Sequence, residues 1–424
     1  MLLKRRIYLI LALTFGYALL ISEVAIGRRT KESPLTAYKK LHPAFGWVGV
    51  IACLVPMIIM PYYCVIGGWV LKYFFVFLTG GGSDAAEDGF FTDFITSTGE
   101  PVATTVIFLF LCSIIVLGGV NKGIERASRY IMPVLVVLVL IISVFSITIS
   151  DDSSGKLLTG LDGLKVLLIP DFTGITVGKF FFVTLDAMGQ LFYSLSIAMG
   201  IMIAYGSYVP DEANLGKSIN QIEIFDTMIA VLAGVMIIPT VYVFMGREGL
   251  SASGPGLMFI SLPKVFEKMG TIGRLVGTLF FAMVLFAALT SAVSVMEAVV
   301  SSFKDRFHMK RKRATLLETA IALVFGIIVC FGYNILYFEL PLPNGTTGQV
   351  LDLMDYISNY LLMPIVAIAT CILVGYVLTP GYVIEEVEKT GSRFGRKGMY
   401  IAMMKFIAPV FLIILFLESF NLIR

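Results

Sequence analysis

The sequence predicts an all-α membrane protein with several membrane-spanning helices. Hydrophobic residues make up 58% of its 424 residues and charged residues only 14%, against about 25% charged residues in an ordinary soluble protein. The mean hydropathy is +0.90. A soluble domain of this length could not bury so much apolar surface, whereas a lipid bilayer accommodates it on the outer face of every helix.

Ten apolar segments are long enough to cross a bilayer, which takes about 20 helical residues. The alternating segments of about ten residues that a membrane β-barrel needs are absent from the sequence. Helices are therefore expected throughout, because their backbone polar groups are satisfied internally. The ten segments lie near residues 7–27, 45–78, 101–118, 123–149, 179–209, 219–245, 271–303, 314–332, 350–379 and 398–421.

The charges of the connecting loops orient these segments. Alternate loops, at 28–41, 118–130, 206–218, 304–313 and 380–397, hold 19 Lys and Arg residues, whereas the loops between them hold seven. Cytoplasmic loops carry an excess of Lys and Arg, so the first set is predicted to be cytoplasmic. The localisation that follows is a multi-pass protein of a cell membrane.

Two segments depart from a simple helical hairpin pattern. The span 179–209 is interrupted near Ser194–Gly200 by small hydroxyl residues and glycine, which weaken a helix at mid-membrane depth. Residues 246–270 are rich in Gly and Pro and partly apolar, which favours an external loop with short helices folded back as a lid.

The residue inventory excludes several classes of function. All five cysteines lie in apolar stretches without metal-ligand spacing, and both histidines, His42 and His308, lie in predicted loops. No zinc site, haem site or Ser/His/Asp constellation can be assembled from them, so an enzyme is not expected. No nucleic-acid partner is indicated, and a channel would need a repeated pore motif that is lacking.

Polar residues inside the spans are the best candidates for a functional site, because a carboxylate at bilayer depth is costly. Asp226 is either a residue at the wet end of its span, paired with a neighbour, or a cation ligand that shares an interior with Ser194. Thr290 and Ser291 are either bonded to their own helix or ligands of a hard cation. Tyr63 could satisfy its hydroxyl locally or donate to a substrate carboxylate. An interrupted helix with such groups favours a transporter with a midplane site.

Several motifs along the chain carry a resemblance to a known family. The most specific are Gln190-Leu-Phe-Tyr-Ser-Leu-Ser196 and Ile203-Ala-Tyr-Gly-Ser-Tyr208, which resemble the broken sixth helix of the neurotransmitter:sodium symporter family. The resemblance covers essentially the whole chain and implies the inverted-repeat fold of the leucine transporter. The other motifs are Glu23-Val-Ala-Ile-Gly-Arg28, Ser33-Pro-Leu-Thr-Ala-Tyr38, Lys122-Gly-Ile-Glu-Arg-Ala-Ser128 and Phe286-Ala-Ala-Leu-Thr-Ser291.

The resemblance implies sodium as the coupling ion and assigns its ligands by position. Ser194 and Asp226 match one sodium site, and Ala287, Thr290 and Ser291 match the other. Asp226 stands where many relatives carry Asn, and its fixed negative charge implies that chloride is not required. Ala230, however, stands where some chloride-independent relatives carry Glu. Tyr8 and Gln190 match the chloride positions of relatives that use this ion.

The resemblance also implies a pocket for a small amino acid and two gates. Met199 replaces a bulky aromatic residue of the leucine transporter, and its flexible thioether implies a pocket for large apolar or aromatic side chains. Tyr193 would be the aromatic lid, Asp355 the acid of the outer gate, and Asp305 and Tyr208 members of the inner gate. The expected pocket residues are Ile59, Tyr63, Tyr193, Ser194, Ser196, Met199, Ser291, Ala292 and Val295.

The resemblance begins near Tyr8, so the ten spans correspond to helices 2–11 of the family, and its first helix has no counterpart. Residues 1–150 would be the remainder of the first repeat, residues 179–379 the second repeat and residues 398–421 an additional helix. Two functions are therefore expected as alternatives. One is sodium-coupled symport of a neutral amino acid by alternating access, and the other is a truncated membrane fragment that does not transport. The oligomeric state is not indicated.

Overall fold

A computed structural model of the chain describes residues 2–152, 157–169, 176–250 and 253–422. Within this part of the chain, nine helices are long and apolar enough to cross a membrane. They coincide with nine of the ten predicted spans, and the predicted multi-pass helical fold is confirmed. The tenth predicted span, 179–209, consists of two shorter helices separated by residues 195–200.

The long helices and the two short ones that share the tenth span are numbered here in chain order. They are α1 Ile7–Thr30, α2 Pro43–Thr79, α3 Glu100–Leu117, α4 Val120–Thr148, α5 Val177–Ser194, α6 Ile201–Tyr208, α7 Leu215–Gly249, α8 Thr271–Phe307, α9 Arg311–Phe331, α10 Val350–Val377 and α11 Lys397–Glu418.

Short elements fill the connections between these helices. Two antiparallel pairs of two-residue strands close loops: Ser150–Asp151 (β1) pairs with Leu158–Thr159 (β2), and Leu340–Pro341 (β3) pairs with Thr347–Gly348 (β4). The loop predicted to contain short helices does so, for example at Leu262–Lys268. Residues 251–252 of that loop lie outside the described residues. The short helices are Pro34–Leu41, Gly82–Ala86, Phe90–Thr96, Gly160–Leu168, Gly254–Gly256, Leu262–Lys268 and Gly381–Glu388.

Polar caps fix the beginnings of several helices. The side chain of Asn214 accepts a hydrogen bond from the backbone N–H of Lys217 at 3.0 Å, which satisfies one of the free donors at the start of α7. Gln349 and Asp352 form a reciprocal capping box at the start of α10. These local signals place helix starts within a few residues of where hydropathy alone predicts them.

The loops rich in Lys and Arg meet on one side of the molecule, called the basic side below, and the loops between them lie on the outer side. On the basic side, Lys31 and Lys389 both pair with Asp211, at 2.9 and 3.3 Å. The two ammonium groups lower the pKa of Asp211 below its usual value. On the outer side, Lys264 pairs with Asp88.

The core consists of closely packed helices, and apolar residues on the outside face the lipid. A Cβ atom on Gly27 of α1 would lie 2.0 Å from the carbonyl oxygen of Ile203, and one on Gly206 of α6 would lie 2.4 Å from that of Val24. Only glycine allows the two helices to approach this closely. On the outside, Val324 is 56% exposed and Phe406 is 64% exposed, which suits a hydrocarbon environment.

Candidate functional site

The interruption between α5 and α6 lies in the middle of the protein. Ser196, Ala198 and Gly200 adopt left-handed backbone conformations, with φ of 53°, 60° and 70°. A Cβ atom on Gly200 would lie 2.7 Å from Pro34 and 2.8 Å from the carbonyl oxygen of Ala52, so glycine is needed for both its φ and its close contacts. The break frees backbone polar groups at membrane depth, where they can bind ligands.

A buried carboxylate holds the interrupted segment. Glu23 of α1 is fully buried, and its Oε1 accepts a hydrogen bond from the backbone N–H of Ala198 at 2.7 Å. Its Oε2 has no hydrogen-bond partner among the described residues. The sequence places Glu23 in a family motif, and no role was predicted for it. The available signal was a lone acid inside the apolar segment of α1, because inserting a carboxylate into a membrane span is costly unless it has a structural or functional role.

Three oxygen-bearing side chains meet where α5 ends. The Tyr8 hydroxyl lies 2.6 Å from the Ser194 hydroxyl and 3.3 Å from Asp226 Oδ2, and the Ser194 hydroxyl donates to Asp226 Oδ1 at 2.7 Å. The structure thus brings Ser194 and Asp226 together as predicted, and it adds Tyr8, which was assigned to the chloride positions. A carboxylate beside hydroxyls and the negative end of a helix offers a hard cation the oxygen ligands that it prefers.

A central cavity of about 330 Å³ lies between the interrupted helix, α2 and α8. Of the predicted pocket residues, Ala292 is fully buried and is not part of the lining, and the side chain of Tyr193 lies outside the described residues. The phenol of Tyr63 and the hydroxyl of Ser291 both line this cavity. The lining consists of Ile59, Tyr63, Ser194, Ser196, Met199, Ser291 and Val295, all predicted, together with Gln190 and Ile201.

Thr290 and Ser291, two predicted ligands of the second sodium site, line different spaces in the structure. Ser291 lines the central cavity, whereas Thr290 lines a gap of about 10 Å³ against Ser128 of α4. Successive residues of a helix point about 100° apart, which separates the two hydroxyls. The Thr290 hydroxyl donates to its own helix, at 3.0 Å from the carbonyl oxygen of Ala287 and 3.1 Å from that of Phe286. Thr290 and Ala287, two members of the predicted set, are therefore already in contact.

A second cavity, of about 340 Å³, opens toward the outer side. Asp355, the predicted acid of the outer gate, lines it together with Asp186 and Glu418. Asn359 donates from its amide to the carboxylate of Asp355 and to the hydroxyl of Tyr62. Gln190 lines both cavities, so it stands at the boundary between the outer cavity and the central one.

On the basic side, the two predicted inner-gate residues belong to separate networks. Tyr208 donates to Glu297 Oε1 at 2.7 Å, and Arg311 forms a two-pronged ion pair with the same carboxylate. Asp305 instead accepts from the backbone N–H of Ser33 at 2.7 Å. Sequence reasoning missed Glu297, although a buried acid near the end of a span was a usable signal.

A multi-pass helical bundle with a helix broken at mid-depth, oxygen ligands beside the break and a cavity next to them defines the class of secondary transporters. Comparison with known proteins gives the family. The model of the sodium:neurotransmitter symporter family matches residues 7–81 and 90–424. The chain belongs to this family, whose members are sodium-dependent transporters and not enzymes, and the predicted family is confirmed.

Individual relatives and one solved structure agree with this assignment. An uncharacterized sodium-dependent transporter of Bacillus subtilis (strain 168), YhdH, is 31% identical over 431 residues, which cover 98% of this chain and 89% of that protein. The sodium- and chloride-dependent GABA transporter 2 of Mus musculus is 24% identical over 90% of this chain and 68% of that protein. The crystal structure of MhsT in complex with L-phenylalanine superposes with a TM-score of 0.84 at 30% identity, covering 98% of this chain and 90% of that one.

Proposed function

We propose that this transporter couples sodium entry to the uptake of a neutral amino acid with a large apolar or aromatic side chain. The central cavity is the substrate site in this proposal, and its volume and lining residues support the proposed substrate class. Its volume of about 330 Å³ falls at the lower end of the roughly 300–1,000 Å³ of small-molecule sites. The likeness to MhsT, which was crystallised with L-phenylalanine, supports a substrate of this kind.

The polar and apolar groups of the lining match the two ends of such a substrate. The hydroxyls of Tyr63, Ser196 and Ser291 can bind the charged ends of an amino acid, as can the backbone groups freed at the break. Ile59, Met199, Ile201 and Val295 supply apolar surface for its side chain. Met199 adapts in shape because its chain is unbranched and flexible. In the proposal, Tyr193 covers the site from the outer side.

Sodium binds beside the substrate in this proposal. Ser194 and Asp226 form the first site, at the negative end of the α5 helix dipole. Ala287, Thr290 and Ser291 form the second, in which the Thr290 hydroxyl and the carbonyl oxygen of Ala287 are already in contact. Each sodium ion that enters contributes about 2.3 kcal/mol per 100 mV of membrane potential, in addition to its concentration gradient.

Chloride is not required in this proposal. A transporter that admits cations needs a compensating negative charge next to them, and the carboxylate of Asp226 supplies one permanently. The hydroxyl of Tyr8 supports this proposal, because it donates to Ser194 and to the carboxylate of Asp226.

Uptake by proteoliposomes tests the proposal. We expect labelled phenylalanine or leucine to accumulate under an inward sodium gradient. A potassium gradient should not reproduce this uptake. Replacement of chloride by gluconate should not abolish it. Ser291→Ala should raise KM, whereas Ser301→Ala, a buried control further along α8, should not. A competition panel in which only glycine or alanine displaces substrate would contradict the proposed specificity. The absence of any sodium-dependent uptake would favour the alternative of a non-transporting membrane fragment.

A further inference from the structure

Exposed cations concentrate at one edge of the basic side, where α3 meets α4 and α8 meets α9. Arg311 joins the two connections, because its Nε donates to the carbonyl oxygen of Val116 at 2.8 Å while its other nitrogens bind Glu297. The cations exposed around it are called the junction patch here. They are Lys122, Arg126, Arg306, Lys310, Lys312 and Arg313.

These cations have no protein counter-ions within the part of the chain that the structure describes. The two acids of the surrounding loops are engaged elsewhere, since Glu125 pairs with Arg129 at 2.7 Å and Asp305 accepts from Ser33. In the other basic loops, 28–41, 206–218 and 380–397, six of the ten cations form ion pairs with acids of the protein. These six are Arg28, Arg29, Lys31, Lys40, Lys389 and Arg396. Among the described residues, the exposed cations of these loops without such a pair are Lys39, Lys217, Arg393 and Lys397.

Exposed aromatic and leucine side chains border the junction patch. Tyr130, one turn beyond Arg126, is 66% exposed, and Phe307 is 59% exposed. Aromatic side chains of this kind mark the boundary between membrane and water. Immediately beyond the patch on α9, Leu316 is 52% exposed and Leu317 is 41% exposed, as expected of residues that face acyl chains.

We propose that the junction patch binds the phosphate groups of anionic phospholipids in the adjacent leaflet. Clustered Lys and Arg next to the cytoplasmic ends of spans attract anionic headgroups, and the missing counter-ions leave these cations free to do so. A soluble acidic partner would not need the exposed aromatic and leucine side chains that border the patch. The proposal concerns a lipid site and does not depend on which substrate the central cavity takes.

Binding there would also act on the basic-side network. Lys310, Lys312 and Arg313 flank Arg311 in sequence, and Arg311 holds Glu297, which accepts from Tyr208 at the end of α6. A lipid phosphate bound to the flanking residues would fix the first turn of α9 and with it this ion pair. Anionic lipid should therefore stabilise the conformation in which Tyr208, Glu297 and Arg311 are joined.

Thermal unfolding of the full chain in nanodiscs tests the site. Wild type should unfold at least about 2 °C higher in phosphatidylglycerol than in phosphatidylcholine, because a ligand that binds only the folded state stabilises it. The variant K310Q/K312Q/R313Q should unfold like wild type in phosphatidylcholine and lose the increase. The control K39Q/K217Q/R393Q removes the same charge from exposed residues outside the patch and should keep the increase.

Three results would overturn the proposal. The first is that wild type unfolds at the same temperature in the two lipids. The second is that the control variant loses the increase equally, which would indicate diffuse attraction to the leaflet. The third is that soluble glycerol phosphate reproduces the increase in phosphatidylcholine, which would indicate a free-phosphate site. If K310Q/K312Q/R313Q proves unstable, the separate variant K310R/K312R, which preserves the charge, should keep the increase in unfolding temperature. A folded K310R/K312R without this increase would also contradict the proposal.

Discussion

The outer and basic sides of the molecule differ in the groups that lie between the central cavity and each surface. On the outer side, a cavity of about 340 Å³ lined by Asp186, Asp355 and Glu418 adjoins the central one at Gln190. On the basic side, the end of α6 is held by Tyr208 through Glu297. Acids around a cavity raise the local concentration of cations. The ion pair of Glu297 with Arg311 joins α8 to α9. The two sides therefore differ in that the outer one presents an acidic cavity and the basic one a buried ion pair.

The largest expected effect on uptake lies between the two sides, at Glu23. Glu23→Ala leaves the Ala198 N–H buried without an acceptor, so we expect uptake to fall at least about tenfold, the equivalent of one lost buried hydrogen bond. Glu23→Gln keeps an oxygen acceptor and should retain most of the activity. Uptake by matched amounts of monodisperse protein measures both. Equal losses in the two variants would show that the hydrogen bond to the broken segment is not what matters.

The next effect concerns the buried ion pair on the basic side. Glu297→Gln removes the counter-ion of Arg311, whose side chain is only 19% exposed, and breaking such a pair costs on the order of 3 kcal/mol. We expect a clear drop in unfolding temperature and faster labelling of cysteines introduced along α6. Glu125→Gln breaks an exposed ion pair and should change the unfolding temperature little. If both variants unfold alike, the buried pair does not hold the basic side.

A smaller effect is expected on the outer side. Asp355→Asn removes one negative charge from the cavity and should raise the sodium concentration for half-maximal uptake several-fold, with kcat nearly unchanged, because the acid concentrates cations there. Glu87→Gln, an exposed acid outside the cavity, serves as the control. A fall in kcat at unchanged sodium dependence would assign Asp355 a different role.

The smallest effect is a pH dependence at Asp211. Lys31 and Lys389 lower its pKa below the ordinary value of 3.8 in the folded protein. The unfolded chain therefore takes up a proton first as the pH falls, so the contribution of Asp211 to stability is fully present above about pH 4 and is lost as the pH falls through its lowered folded-state pKa. Asp211→Asn should lower the unfolding temperature slightly at pH 7, and this difference should shrink steadily as the pH falls below about 4. A difference that stays constant over this range would contradict this assignment.

Hydropathy predicts the helices of this fold because length and apolar composition are decisive in a bilayer. The break at Ser194–Gly200 was predicted as well, since small residues and glycine weaken a helix locally. The hydrogen-bond partner of Tyr208 was not predicted, because Glu297 lies 89 residues away in the sequence and only packing brings the two together. The same holds for Glu23 and Ala198, which are 175 residues apart. The different surroundings of Thr290 and Ser291 were not predicted either, because adjacent residues of a helix point in different directions.

Equilibrium binding tests the central claim most directly, namely that the cavity beside the broken helix binds an amino acid together with sodium. Binding of labelled phenylalanine to the purified chain would be measured as sodium is titrated against potassium at constant ionic strength. The account predicts saturable binding that requires sodium and that Asp226→Ala weakens by at least about tenfold, since a charged ligand is lost. Binding that is equal in sodium and potassium, or that is unchanged in Asp226→Ala, would contradict it.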